Sequence, residues 1–415
     1  MHYTFSSPAL PGAAQLNLRP EATTVMLAND HVLSFDGEGR LITAYRGGHL
    51  FKRGLDQRVL EKWRPWAIGR PEHIRRDLAE DEKRRLVGDV LATLGQVLGA
   101  LPADAPPAAR ARLERAATWD EPAYAEDRRR FQTVYKPVPI LPPDQYLAMV
   151  LQATEGCHYN QCSFCHFYRD RPFHVKSDAE LRAHIEAVRG FLGAGARLRR
   201  TIFLADANAL VMPERRLAGV FEAIGQAFEL APAGMRGAAL SRWKSEHPQG
   251  IAGIYSFLDA FTGKRKTEGE FEYLAARGLR RVYIGMESGH APLLAFLRKP
   301  SMPADVRAVV RAARAAGVHV GVIVLLGIGG DRYAQGHVDD TVAVVNSLGL
   351  DSRDIVYFSE FVDEPGTEYG ADAASAGIRA LTGAQVRAQA AAIRAGLRFE
   401  QPPKIATYDI REFIY

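Results

Sequence analysis

All three cysteines of this 415-residue chain fall in one short stretch, Cys157-His158-Tyr159-Asn160-Gln161-Cys162-Ser163-Phe164-Cys165, at the spacing C-x4-C-x2-C. A disulfide framework calls for an even number of cysteines in a short secreted chain, and this chain has neither property. Structural zinc takes four protein ligands, so a zinc site here needs His158 or His166 as the fourth. The same spacing opens a two-iron pattern, but that pattern requires a fourth cysteine downstream and the sequence has none. A four-iron cluster on three thiolates remains. It leaves one iron with an open position, and an open position on a metal is a place for chemistry.

The residues before the triplet sharpen this. Met149 to Thr154 is apolar enough for a buried strand, and Glu155-Gly156 breaks it just ahead of Cys157. The cysteines therefore belong to the loop after a strand. In this the chain resembles the radical S-adenosylmethionine (radical SAM) superfamily, whose pattern C-x3-C-x-aromatic-C follows the first barrel strand. Phe164 fills the aromatic slot, and this chain carries one extra residue between Cys157 and Cys162.

Composition excludes several classes. Hydrophobic residues at 47% and charged residues at 24% are those of an ordinary globular protein rather than a disordered or fibrous one. A net charge of +5 and a pI near 9.0 raise the question of nucleic acid. The arginines, however, are scattered through Ala-rich stretches such as Arg307 to Arg314, with no basic run interleaved with aromatics, so solvated helix faces are expected and nucleic acid is not. The longest apolar run, Val320 to Ile328, is far short of a membrane span. Met1 to Pro20 lacks the pattern of a signal peptide. Reduced thiols and the lack of that pattern lead us to expect a cytoplasmic protein.

Along the chain, residues 1–145 read as an α+β extension. Short strands are read at Thr24–Leu27, Val32–Phe35 and Leu41–Tyr45, the last two separated by the turn Asp36-Gly37-Glu38-Gly39 as in a hairpin. A helical pattern runs from Glu72 to Leu101, a Pro-Ala linker or surface loop follows to Ala109, and Arg110 to Arg130 reads as helix. The proline-rich stretch 137–143 marks a domain boundary. Across 146–362, apolar strands near 149–155, 200–206, 250–257, 281–287, 318–326 and 354–359 alternate with helices near 177–194, 213–229, 267–277, 303–316 and 337–348. Such alternation predicts an α/β fold with a parallel sheet flanked by helices. Six units are too few for a closed eight-unit barrel, and the resemblance implies a partial (β/α)6 TIM-like barrel. Residues 363–415 are expected to form a helix and a tail over the active site, because Tyr408 to Tyr415 is unusually aromatic for a terminus.

In barrels of this type the chemistry sits at the C-terminal strand ends. After the second strand, Asp206 and Asn208 occupy the place where the resemblance implies recognition of the methionyl ammonium, although the family's glycine pair is absent; both residues also suit a helix N-cap. Ser256 follows at the third strand. The fourth strand ends Gly285-Met286-Glu287-Ser288-Gly289, which resembles the Gly-x-Glu-Ser-Gly segment of the methylthiotransferase-related branch. There Glu287 is implied as the ribose ligand, with Ser288 beside it. Lys299 or its neighbour Arg298 matches the basic residue that relatives place near the methionyl carboxylate. The resemblance implies that adenine lies against the fifth strand, with Val324 and Leu325, through backbone groups rather than side chains, and near the sixth, with Phe358; Phe164 is a further cofactor-binding candidate.

The resemblance implies a [4Fe-4S] cluster on Cys157, Cys162 and Cys165 that binds S-adenosylmethionine and, fed an electron by a reductant such as flavodoxin or ferredoxin, yields a 5′-deoxyadenosyl radical. That radical abstracts hydrogen from a small-molecule or peptide substrate. Such chemistry is oxygen-sensitive and belongs largely to the cofactor. With no fourth cysteine and no evident cobalamin-type domain, rearrangement, elimination, oxidation or coupling is favoured. Two other readings stay open: an iron-sulfur electron-transfer or sensor protein, and a zinc-binding protein that interacts with RNA.

Overall fold

The computed structural model describes residues 1–28, 30–64 and 74–415. The chain divides into two compact units, one of residues 1–139, 186–200 and 412–415, the other of 140–185 and 201–411.

In the first unit, eight strands pair antiparallel in chain order: β1 (His2–Phe5), β2 (Ala14–Leu18), β3 (Ala22–Leu27), β4 (His31–Asp36), β5 (Leu41–Arg46), β6 (His49–Arg53), β7 (Val59–Trp63) and β8 (Ile74–Asp77). Alternation writes this sheet: Leu16, Val25, Leu33 and Phe35 are buried while their neighbours Gln15, Thr24, Val32 and Ser34 are not. The three expected strands are β3, β4 and β5. Helices α1 (Glu80–Ala100), α2 (Pro107–Ala117) and α3 (Glu121–Val134) follow the sheet in this unit. α1 buries Val87, Val90, Leu94 and Val97 along one stripe, each worth roughly 1.5–3 kcal/mol of burial.

Two expectations change here. Ile74 to Asp77 is strand rather than the first turn of a helix from Glu72, and Glu72 itself lies outside the described residues. The helix begins instead where Glu80, Asp81 and Glu82 crowd its first turn and Glu82 accepts from the Ala79 N–H. The single helix read over 110–130 is two, broken at Thr118-Trp119-Asp120, where Asp120 caps α3 by accepting from the Ala123 N–H. A buried ion pair ties sheet to helix: Arg40 grips Asp127 with two hydrogen bonds of 2.9 and 2.8 Å. The last residues join this unit too, with the Tyr415 ring against Phe131 and Tyr135.

The second unit is built on seven parallel strands: β9 (Met149–Gln152), β12 (Ile202–Ala205), β13 (Ile254–Phe257), β14 (Leu279–Glu287), β15 (His319–Leu326), β16 (Ile355–Glu360) and β17 (Lys404–Thr407), paired in that spatial order. A small antiparallel pair, β10 (Thr154–Glu155) and β11 (His174–Val175), closes the loop after β9. Helices cross between successive strands: α4 (Asp178–Leu192), α5 (Glu214–Ala227), α6 (Gly237–Glu246), α7 (Ala260–Gly263), α8 (Glu268–Ala276), α9 (Ala291–Phe296), α10 (Pro303–Ala315), α11 (Gly330–Asn346), α12 (Tyr369–Ser375) and α13 (Gly383–Gly396). The fold is α/β, a partial TIM-like barrel with β9 and β17 at its two edges. All six expected strands are present. β17 is a seventh, which pairs with β16 from Ile355–Lys404 to Phe358–Thr407. Its four residues, Lys-Ile-Ala-Thr, follow Pro402-Pro403 and hold no apolar run, so pattern alone passes them over. Among the described residues no helix is long and apolar enough to cross a membrane.

Candidate functional site

A cavity of about 220 Å³ opens at the C-terminal ends of the second unit's strands. All three cysteines line it, with Phe164, Asn208, Glu287, Lys299 and Leu325 from the expected set. Aromatic and aliphatic side chains, among them Phe257, Phe261 and Ile323, form much of the remaining wall.

The loop that carries the cysteines is shaped by its backbone. Gly156 has φ +77°, and a Cβ there would lie 2.9 Å from the Pro172 carbonyl oxygen, so only glycine admits this turn. Between Cys157 and Cys162, Asn160 takes a left-handed φ of 49°. Its N–H donates to Cys157 Sγ (3.3 Å) and its side-chain amide to the Tyr168 carbonyl (3.1 Å). The cysteines are half-buried free thiols. Burial pushes the Cys162 thiol up to about 11 and the Cys165 thiol to about 12, so both are protonated until a metal claims them.

This donor set suits a cluster better than a single zinc ion. His158 turns its Nε2 toward Asp259 (3.6 Å) rather than completing a thiolate set.

Beyond the cysteines, a polar corner joins β12 to β13. Asn208 is buried, and its amide NH2 donates to Asp259 and to Thr262 Oγ1. A carboxylate accepts only, so this contact fixes the amide orientation and turns Oδ1 away from Asp259. Among the described residues, Asn208 Oδ1 has no hydrogen-bond partner, and neither has either ring nitrogen of His158. A buried acceptor left alone costs about 1–3 kcal/mol, so the corner calls for a ligand that donates.

Across the cavity, Glu287 ends β14 with φ 59°, at a slip in the β14–β15 register. A Cβ on Gly285 would lie 2.6 Å from Glu287 Oε1, so glycine there makes room for the carboxylate. Glu287 pairs with Lys299 at 2.6 Å. Burial pulls the Lys299 ammonium down, but Glu287 and then Cys162 outweigh it and the net shift is upward. Arg298, the alternative to Lys299, instead binds Asp372 at 2.6 Å.

Five expected site residues keep their side chains out of the cavity lining. Asp206 is buried beneath the cysteine loop, where it accepts from Gln152 Nε2 (2.8 Å) and the Gly156 N–H (2.9 Å) and pairs with Arg171. Ser256 donates to the Leu204 carbonyl across the β12–β13 ladder (2.8 Å). Ser288 turns toward α11, where its hydroxyl meets His337 Nδ1 at 2.7 Å. Val324 and Phe358, paired in register, lie on the side of the sheet opposite Ile323, Leu325 and Ser359, which do line the cavity. Tyr408, Ile410 and Ile140 line it as well. The aromatic tail signalled Tyr408; Ile140, inside the proline-rich stretch, carried no signal.

Comparison with known proteins comes to this. Residues 151–340 match the family model described as the Radical SAM superfamily. No curated protein sequence matches. Solved structures that align include the radical S-adenosylmethionine methyltransferase TsrM from Kitasatospora setae, at 16% identity and a TM-score of 0.35 over 54% of this chain and 39% of that one. The Escherichia coli coproporphyrinogen III oxidase HemN aligns at 14% identity and a TM-score of 0.41 over 67% of this chain and 57% of that one. Methylornithine synthase PylB aligns at 16% identity and a TM-score of 0.38, over 78% and 85%. The first two alignments thus span well under two thirds of the proteins they match.

Proposed function

We propose that this chain, whose residues 151–340 match the Radical SAM superfamily model, is an enzyme that cleaves S-adenosylmethionine reductively and abstracts hydrogen from an organic substrate. The observation that carries the proposal is a single cavity bearing three cysteine thiols, an unpartnered amide oxygen on Asn208 and the Glu287–Lys299 pair. In it Cys157, Cys162 and Cys165 would hold a [4Fe-4S] cluster. When bound, that cluster supplies the electron that breaks the sulfonium and releases a 5′-deoxyadenosyl radical.

The chain's own residues bind and orient. Asn208 Oδ1 accepts from the methionyl ammonium, the one donor-rich group of the cofactor, and Asp259 holds the amide in place. Glu287 takes the ribose hydroxyls, and Lys299, kept charged by Glu287, faces the methionyl carboxylate. Phe164 and Leu325 offer apolar surface to the adenine, and the aromatic walls exclude water from the reacting atoms. Asp206 anchors the cysteine loop rather than the cofactor. Tyr408 and Ile410 make the tail part of the wall. The electron comes from a reductant such as flavodoxin or ferredoxin, and reduced thiols fit a cytoplasmic setting.

Anaerobic reconstitution followed by incubation with dithionite and S-adenosylmethionine tests this. We expect four irons per chain and 5′-deoxyadenosine that disappears in Cys162→Ala. Stoichiometric zinc without iron, or a four-iron cluster beside intact cofactor across a substrate panel, would overturn the proposal.

A further inference from the structure

The cysteine loop is held by one cation that the proposed chemistry does not use. Arg169 follows Cys165 by four residues, and its guanidinium points back into the loop. Nε donates to the Cys165 carbonyl (2.9 Å) and Nη2 to the Cys162 carbonyl (2.9 Å). The outer edge of the same group meets Glu368, just before α12, with two bonds of 2.6 Å. Four of the five guanidinium N–H donors are thereby committed, and the fork geometry of arginine is what lets one side chain serve two carbonyls and a carboxylate together. The segment at α12 touches the loop a second time, since the Tyr369 N–H donates to the Ser163 carbonyl (3.1 Å).

We infer that Arg169 is a positioning residue for the cluster, and that Glu368 holds it there and balances its charge. The inference rests on the reading of Cys157, Cys162 and Cys165 as cluster ligands. Its logic is geometric. Fixing the carbonyls of two ligand residues fixes the backbone from which two thiolates reach their irons, so the site is arranged before the cluster arrives. Its second consequence is electrostatic. A cation bonded to the ligand backbone favours the more negative, reduced cluster, and Glu368 offsets part of that field. The two residues therefore act on the reduction potential with opposite signs, which no purely structural pair would do.

The test uses the full chain, reconstituted anaerobically, with iron content, electron paramagnetic resonance and a redox titration as readouts. Arg169→Met removes the cation and leaves Glu368 with only the weaker field of Arg298, so its midpoint moves negative and its reconstituted iron falls by at least half. Glu368→Gln keeps an acceptor but removes the charge, so its midpoint moves positive. The double variant Arg169→Glu with Glu368→Arg restores an ion pair, and with it thermal stability. A carboxylate cannot donate to carbonyls, so the altered resonance signature persists. Wild-type iron, spectrum and midpoint in both single variants would overturn the inference, as would shifts of the same sign in both. A wild-type chain that takes up no four-iron cluster would overturn the underlying reading and this inference with it.

Discussion

His337 gives the sharpest quantitative prediction. It sits on α11 fully buried, with Nδ1 on Ser288 Oγ at 2.7 Å and Thr341 Oγ1 at 3.4 Å; its Nε2 has no partner among the described residues. The other titratable group facing it is His290, which is engaged with Asp340 at 2.6 Å. Burial, and secondarily the field of His290, lowers His337 from its ordinary 6.5 to about 4. The folded imidazole thus resists protonation while the unfolded one accepts a proton near 6.5. Stability is present in full above 6.5 and is lost as pH falls toward 4. The gap corresponds to about 3 kcal/mol in the limit, of which about 2 kcal/mol should appear between roughly pH 7.5 and pH 5. Urea unfolding at those two pH values checks it, followed by Trp243 fluorescence with Trp63, Trp66 and Trp119 replaced by Phe. The parent should lose about 2 kcal/mol more than His337→Gln over this window. Parallel losses in the two proteins would refute the reasoning. The histidine also lies close to the cavity wall, because its partner Ser288 follows Glu287 directly.

Two further outcomes follow from the same wall of the cavity. Lys299→Met leaves Glu287 buried without its partner and should cost about 3–5 kcal/mol, most of it recovered in the double variant with Glu287→Gln; equal melting temperatures for the parent and the single variant, measured without cluster, would count against a buried pair. Gly285→Ala puts a methyl 2.6 Å from Glu287 Oε1 and should weaken S-adenosylmethionine binding by about tenfold or more, roughly 1.4 kcal/mol, with little change in iron content. Unchanged affinity in equilibrium dialysis would mean that Glu287 does not face the cofactor.

Sequence carried the cysteines, six of the seven parallel strands and the Glu287 turn because each is a local signal: spacing, apolar runs and a glycine-bounded strand end. What it could not place depends on geometry that no local pattern holds. The side chains of Val324 and Phe358 point away from the cavity by one residue of strand parity, since β15 is apolar throughout and nothing in its composition says which face looks inward. Asp206 and Asn208 looked equivalent as strand-end polar residues. A buried hydrogen bond to the Gly156 N–H takes the first under the loop, and Asp259, fifty-one positions along the chain from Asn208, aims the second into the cavity. Arg169 was legible as a neighbour of the cysteines, but its partner Glu368 lies 199 positions away and only folding brings the two together.

One regularity in the site explains why such distant partners are needed. Three non-glycine residues around the cavity hold left-handed backbone: Asn160 at 49°, Glu287 at 59° and Arg298 at 53°. Such conformations cost about 1–3 kcal/mol each and persist only where the surroundings over-determine them. Each is over-determined here. Asn160 is tied to Cys157 Sγ and the Tyr168 carbonyl, and Glu287 to Lys299. Arg298 is tied through its own carbonyl, which accepts from the Tyr159 hydroxyl at 2.6 Å, and through its guanidinium on Asp372. The strained positions flank the thiols and the carboxylate that the proposed function puts to use, and the bonds that hold them come from the cysteine loop, the segment after β14 and α12. Contacts among the site's own loops therefore hold these three positions. Loosening one of these ties should disturb binding geometry sooner than it unfolds the barrel.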